Sequence, residues 1–254
     1  MTIDLNADMG EAFGRWSVGE DEALLSVVSS ANVACGFHAG DPSVMRRTVR
    51  LCRTHGVAVG AHPGYPDLRG FGRTELMLQT QQIEDDVLYQ LGALAAVCRA
   101  EGVRLAYLKP HGALSSRIGR DPAAADAVVR AVQSFDPGLP LLALAGSLAE
   151  QSARAAGVPC VREAYIDRAY LPDGRLQSRS EPGSVLEDPE RAAVRALQLA
   201  QEGTVRAVDG TLLRLAPASL CLHGDTPGAL ALARAVRRQL EGAGVRVRAF
   251  VEGG

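Results

Sequence analysis

Short apolar runs alternate along the chain with longer segments in which apolar positions recur every three or four residues. This is the pattern of βα units feeding a parallel sheet. Seven strands are predicted, near residues 3–8, 30–36, 58–62, 105–109, 141–145, 161–166 and 219–223. Their Val, Leu, Ala and Cys content reads without apolar/polar alternation, as expected for strands covered on both faces. Between them, Asp41-Pro42, Asp121-Pro122, Asp188-Pro189 and Thr226-Pro227 each place a capping side chain before a proline suited to a first helical turn. Helix ends are marked by His55-Gly56, Glu101-Gly102, Ala156-Gly157 and Ala243-Gly244, where glycine takes the left-handed closing position. The longest amphipathic helix spans 79–101, with Ile83, Val87, Leu91, Leu94 and Val97 on one face. Two stretches depart from the repeat. Residues 170–186, rich in Gly, Pro and Ser, form an excursion, and 205–215 read as a hairpin around Asp209-Gly210. The final run, 245–251, is either an eighth strand or an edge piece outside the main ring.

Composition narrows the classes. A chain of 254 residues is near the upper size for one hydrophobic core, so a single domain over 1–254 is expected. Hydrophobic residues at 47% and charged residues at 22% are ordinary for a soluble globular protein. A net charge of -2, with arginines spread along the chain, excludes the basic stripe of a nucleic-acid binder. No apolar run approaches the roughly 18 residues of a membrane span. The opening residues lack the basic and apolar regions of a secretory signal. The cysteines Cys35, Cys52, Cys98, Cys160 and Cys221 are scattered with no CxxC pair, which fits reduced thiols in the cytoplasm. One oddity points toward chemistry: Lys109 is the only lysine, in a chain that otherwise uses arginine. A compact ammonium is not interchangeable with a planar guanidinium, so unless the scarcity is chance this position needs one.

The candidate chemistry gathers at predicted strand ends. Asn6 and Asp8, His38, His62, Lys109 and His111, Asp167 and Arg168, and His223 all lie at or just past them, and parallel barrels build active sites on that face. His55 lies instead at a helix end, where interaction with the dipole explains it. Asp8 could cap a turn or act on a ligand. Capping suffices for Asp41 and Asp225. His38 and His223 could be core histidines, although glycine neighbours permit close ligand approach. The pair in Lys109-Pro-His-Gly-Ala113 can converge on one ligand. The loop Gly60-Ala-His-Pro-Gly-Tyr-Pro-Asp67, continuing to Arg69 and Arg73, either clamps an anionic substrate or ties down the barrel rim. A carboxylate and two imidazoles, from Asp8, His62 and His111, would suit a divalent metal with a position open for water. No phosphate loop, dinucleotide fingerprint or serine nucleophile elbow is present.

Five segments together, Asn6-Ala-Asp-Met-Gly-Glu11, Ala31-Asn-Val-Ala-Cys-Gly-Phe-His-Ala-Gly-Asp-Pro42, Gly60-Ala-His-Pro-Gly-Tyr-Pro-Asp67, Lys109-Pro-His-Gly-Ala-Leu114 and His223-Gly-Asp225, resemble the LamB/YcsF family in order along the whole chain. The resemblance implies a seven-stranded parallel β/α (TIM-like) barrel of the glycoside hydrolase/deacetylase type. It also implies a hydrolase acting on a cyclic amide: ATP-dependent opening of the 5-oxoproline (pyroglutamate) lactam to L-glutamate, together with B and C subunits. Thr74, Ser115-Ser116 and the run Tyr165-Ile166-Asp167-Arg168 depart from the family pattern, and the serine pair bears most on the pocket's shape. On this reading Asp8, His62, Lys109 and His111 are catalytic, with Asp8, His62 and His111 around the metal. His38, Arg73 and His223 bind substrate, with Lys109 or Arg73 holding its carboxylate. The rivals are a stand-alone metal-dependent deacetylase-type hydrolase and a noncatalytic structural subunit.

Overall fold

The computed structural model describes residues 1–16, 18–224 and 228–251. Among these the strands are β1 (Thr2–Met9), β2 (Ser30–Ala34), β3 (Ala58–His62), β4 (Leu105–Leu108), β5 (Leu141–Leu144), β6 (Cys160–Tyr165), β7 (Thr204–Arg206), β8 (Leu212–Arg214), β9 (Ser219–Leu222) and β10 (Arg246–Val247). The helices are α1 (Asp21–Leu25), α2 (Pro42–His55), α3 (Thr80–Ala100), α4 (Gly112–Ile118), α5 (Pro122–Phe135), α6 (Leu148–Ala155), α7 (Pro189–Glu202) and α8 (Ala229–Gly242). Seven strands pair in parallel around a closed ring, β1 through β6 and then β9, which returns to β1. The remaining pieces lie outside it. β7 and β8 form the antiparallel hairpin expected around Asp209-Gly210, and β10 adds in parallel to the first residues of β1.

The helices start and stop where local chemistry dictates. The carboxylates of Asp41, Asp121 and Asp188 each accept two backbone N–H groups of the first turn, ahead of a proline. The fourth predicted start, at Thr226-Pro227, lies outside the described residues, as does Asp225. Gly56 closes α2 at φ 67°, a conformation that costs other residues a Cβ clash. Ile83, Val87, Leu91 and Leu94 of α3 are buried against the barrel, each contributing roughly 2 kcal/mol of transfer free energy.

One expectation is corrected. The strands were read as lacking alternation, yet β1 alternates strictly, with Ile3, Leu5, Ala7 and Met9 in the hydrophobic core under the helices and Asp4, Asn6 and Asp8 buried and hydrogen-bonded in the lumen. The barrel interior on this side is polar rather than filled by branched apolar residues. Lys109, Glu163, Asn32, Ser219 and Cys221 join that layer. Across its floor lies Tyr107, whose hydroxyl donates to Asn32 Oδ1 at 2.7 Å. A Cβ on Gly60 would stand 2.1 Å from the Tyr107 ring, so only glycine lets the ring lie there. Phe250 packs on Tyr107 at 5.1 Å between ring centroids and helps close the N-terminal mouth. The other mouth, at the strand C-terminal ends, carries the candidate site.

Candidate active site

The site rests on the ends of β1, β3 and β4. Past β1, Gly10 at φ 69° turns the chain and is followed by the buried Glu11. Asp8 Oδ1 lies 3.3 Å from His62 Nε2, and His62 Nε2 lies 3.0 Å from His111 Nδ1. Glu11 Oε1 is 3.8 Å from His111 Nδ1. One donor atom from each of Asp8, Glu11, His62 and His111 falls within 4.8 Å of the others, and all four residues are buried. This group could hold a metal ion.

Backbone carbonyls fix how the two imidazoles face it. His62 Nδ1 lies 2.6 Å from the Lys109 carbonyl, and His111 Nε2 lies 2.9 Å from that of Phe71. A carbonyl only accepts, so these two nitrogens carry the protons. When both rings are neutral, His62 Nε2 and His111 Nδ1 oppose lone pairs at 3.0 Å, beside two carboxylates. A cation relieves that opposition, and histidines pinned through the far nitrogen are the usual form of metal ligands. Burial and the neighbouring His38 and His62 hold His111 well below the ordinary histidine range, which favours the neutral ring. Burial alone would raise the Asp8 carboxyl. The His62 and Lys109 side chains beside it win, and hold it well below the usual carboxylate range.

Lys109 is enclosed. Its ammonium lies 3.2 Å from Asp8 Oδ1, 3.0 Å from Glu163 Oε1, 3.2 Å from Asn6 Oδ1 and 2.8 Å from Cys221 Sγ. Burial would lower its pKa, but Asp8, Cys221 and Glu163 drive it well above the usual value. The sole lysine is thus a permanent charge that keeps Asp8 ionised. Glu163 was hidden inside a run read as an apolar strand, and Glu11 stood in a quoted motif without a role. A charged pair, Arg162-Glu163, inside a predicted strand and a carboxylate just past a strand-end glycine were the available signals.

A second carboxylate–imidazole pair stands just past the ends of β6 and β9. Asp167 Oδ2 accepts from the His223 backbone N–H at 3.0 Å and lies 2.8 Å from His223 Nδ1. Burial opposes the ionised Asp167, but His223 holds its carboxyl below the usual range. His223 therefore leaves Nε2 for the pocket, with Tyr165 stacked on its ring at 5.4 Å. Asp8, His62, Arg73, Lys109, His111 and His223 line one pocket of about 480 Å³. His38 does not reach it. That ring is fully buried, stacks on His111 at 3.8 Å and places Nε2 3.4 Å from Glu11 Oε1. Gly72 makes this packing possible, since a Cβ there would lie 2.6 Å from His38 Cβ and 2.8 Å from His111 Cδ2. Asp41 caps α2 and also accepts from Gly14 N, while Asp67 closes its own loop by accepting from Gly70 and Thr74.

The LamB/YcsF family model matches residues 3–253. The chain belongs to this family. Proteins from Thermus thermophilus and Mycobacterium avium, each named as the A subunit of 5-oxoprolinase, are 53% identical to it, over 98% of this chain and 100% and 98% of theirs. The crystal structure of a lactam utilization protein from Thermus thermophilus superposes with a TM-score of 0.94 at 52% identity, covering 98% of this chain and 100% of that one. The crystal structure of a putative cellobiose-phosphate cleavage protein from Enterococcus faecalis V583 shares the fold alone, with a TM-score of 0.53 at 11% identity over 97% of this chain and 96% of that one. Among the described residues no helix of this LamB/YcsF chain is long and apolar enough to cross a membrane.

Proposed function

We propose that this chain is the A subunit of an ATP-dependent 5-oxoprolinase, opening 5-oxoproline to L-glutamate together with B and C subunits. The observation that carries the reading is one pocket lined both by Asp8, His62 and His111 of the buried carboxylate–imidazole cluster and by His223, which Asp167 orients from behind. It occurs in a chain aligned end to end with relatives that carry the 5-oxoprolinase name. Amide resonance makes the lactam carbonyl a poor electrophile. Transfer of the terminal phosphoryl of ATP to the lactam oxygen releases ADP and leaves a ring carbon that water can attack. The carbon–nitrogen bond then breaks, the nitrogen departs as an amine, and a second water frees orthophosphate and the side-chain carboxylate of glutamate.

The chain's own residues divide this work. Asp8, Glu11, His62 and His111 would hold a divalent cation, which when bound supplies Lewis acidity. Lys109 acts through Asp8, keeping it anionic. His223, oriented by Asp167, delivers a proton to the departing ring nitrogen; without that proton the better leaving group, phosphate, departs and the lactam re-forms. Arg73, on the pocket wall, pairs with the substrate carboxylate. His38 supports the His111 ring from behind. ATP as co-substrate and five free thiols go with a cytoplasmic setting.

Glutamate release from 5-oxoproline tests the proposal, using the chain alone and mixed with B and C subunits, with and without ATP. Release only from the complete mixture with ATP supports it. Amide hydrolysis by the chain alone without ATP would favour a stand-alone metal-dependent hydrolase of the deacetylase type. An assembled mixture in which His223 and His62 variants keep full activity would favour a noncatalytic structural subunit.

A further inference from the structure

The Lys109 ammonium stands between two carboxylates, Asp8, which lines the catalytic pocket, and Glu163, which does not. Asp8 Oδ1 lies 3.2 Å from Nζ and Glu163 Oε1 lies 3.0 Å from it. Asn6 Oδ1 at 3.2 Å and Cys221 Sγ at 2.8 Å surround the same atom. An ammonium has three protons, so these four acceptors share them, and one charge serves two carboxylates. Glu163 is fixed where it stands. It pairs in register with Ser219 across β6 and β9, and Asn6 Nδ2 donates to Glu163 Oε1 at 2.9 Å and to Ser219 Oγ at 2.8 Å. Asp8 is engaged on its other side as well, since its Oδ1 accepts from Asn32 Nδ2 at 2.8 Å and lies 3.3 Å from His62 Nε2. Burial works against the ammonium, and Asp8, Cys221 and Glu163 keep it protonated.

Asp8 is therefore asked to serve two cations. A divalent ion among Asp8, Glu11, His62 and His111 would draw on the carboxylate that also neutralises Lys109, and like charges close together in a buried site repel strongly. We propose that Glu163 is a positioning residue that holds the Lys109 ammonium in the lumen and supplies its countercharge once a divalent cation engages Asp8. Glu163 belongs neither to the cluster nor to the pocket wall, so it acts through Lys109 alone. Without its charge, a bound ion leaves Lys109 as a buried cation short of a partner, which is costly. The cost appears as weaker metal binding. The inference rests on the metal reading of the four-residue cluster and adds to it how a buried lysine and an ion share one carboxylate.

Titration of the chelator-stripped full chain with cobalt(II), read by visible absorption, and with zinc(II), read by calorimetry, tests the role. Glu163→Gln keeps the size of the side chain and an oxygen for Asn6 Nδ2. It is expected to bind either ion about tenfold more weakly than wild type, with an unchanged cobalt spectrum because the ligands stay in place. In a Lys109→Met background the same change is expected to alter affinity by no more than about twofold, since the cation through which it acts is gone. Circular dichroism of each variant reports the fold. If Glu163→Gln alone does not fold, the comparison of Lys109→Met with the charge-balanced double variant still decides. Wild-type affinity in a folded Glu163→Gln, a changed cobalt spectrum, or a loss of about tenfold in the Lys109→Met background overturns the role of Glu163 and leaves the cluster standing. A wild-type chain that binds neither ion overturns the cluster reading, and this inference with it.

Discussion

Within the site, the decisive feature is the way two backbone carbonyls fix the tautomers of His62 and His111 and aim their remaining nitrogens at each other. Removing one of four donors typically costs a metal site more than losing a neighbour that only supports a ligand, because water alone fills the vacancy. His62→Ala is therefore expected to lose stoichiometric metal on elemental analysis and at least about a hundredfold in glutamate formation by the complete mixture. Full metal retention would remove His62 from the cluster. His223→Gln keeps a polar side chain but loses the proton, so activity is expected to fall by about 10²–10⁴ with metal content unchanged. A variant that lost metal as well would place His223 among the ligands. The Asp8, His62, Lys109 and His111 positions were legible as residues at strand ends. Their partners Glu11, Glu163 and Cys221 were not, because Lys109 meets Glu163 and Cys221 only after distant strands close into one ring. His38 illustrates the same limit: glycine neighbours suggested ligand access, while the fold uses Gly72 to pack the ring behind His111.

For the elements, three of the four predicted helix starts, at Asp41, Asp121 and Asp188, fall among the described residues and stand where local chemistry placed them. Asp–Pro starts and glycine stops act within one turn, and the hairpin at Asp209-Gly210 likewise formed where its turn residues stood. β1 was harder, since Asp4, Asn6 and Asp8 alternate in a strand whose neighbours do not announce a polar lumen. Asp4 carries the energetic consequence. Burial, only partly offset by hydrogen bonds from Ser219, Ser29 and Ser30, raises its carboxyl to about 6. In the unfolded chain it titrates near the ordinary aspartate value of about 4. Between those values the folded state binds the extra proton, so this group's contribution makes stability fall as pH rises from about 4 to about 6. The penalty is then constant above that window, at about 3 kcal/mol for a shift of about two units. Asp4→Asn is expected to remove it. Denaturant melts from pH 4 to 7 should show the variant gaining on the wild type as pH rises. A constant difference across the window would contradict the assignment.

Taken whole, the molecule is a barrel whose charged contents are divided between a polar lumen and an open mouth. The lumen fixes Lys109, and Lys109 fixes Asp8. The mouth gathers His223 and the arginines Arg73, Arg120, Arg168 and Arg179 around one pocket. Under the proposed function, a chain with no phosphate loop leaves the nucleotide to its partners or to an interface with them. The most direct measurement is glutamate release from 5-oxoproline by purified chain, B and C subunits, with ATP present or withheld and each component omitted in turn. The account predicts glutamate only when all three chains and ATP are present. A folded, assembled mixture that consumes ATP but releases no glutamate from 5-oxoproline would contradict it.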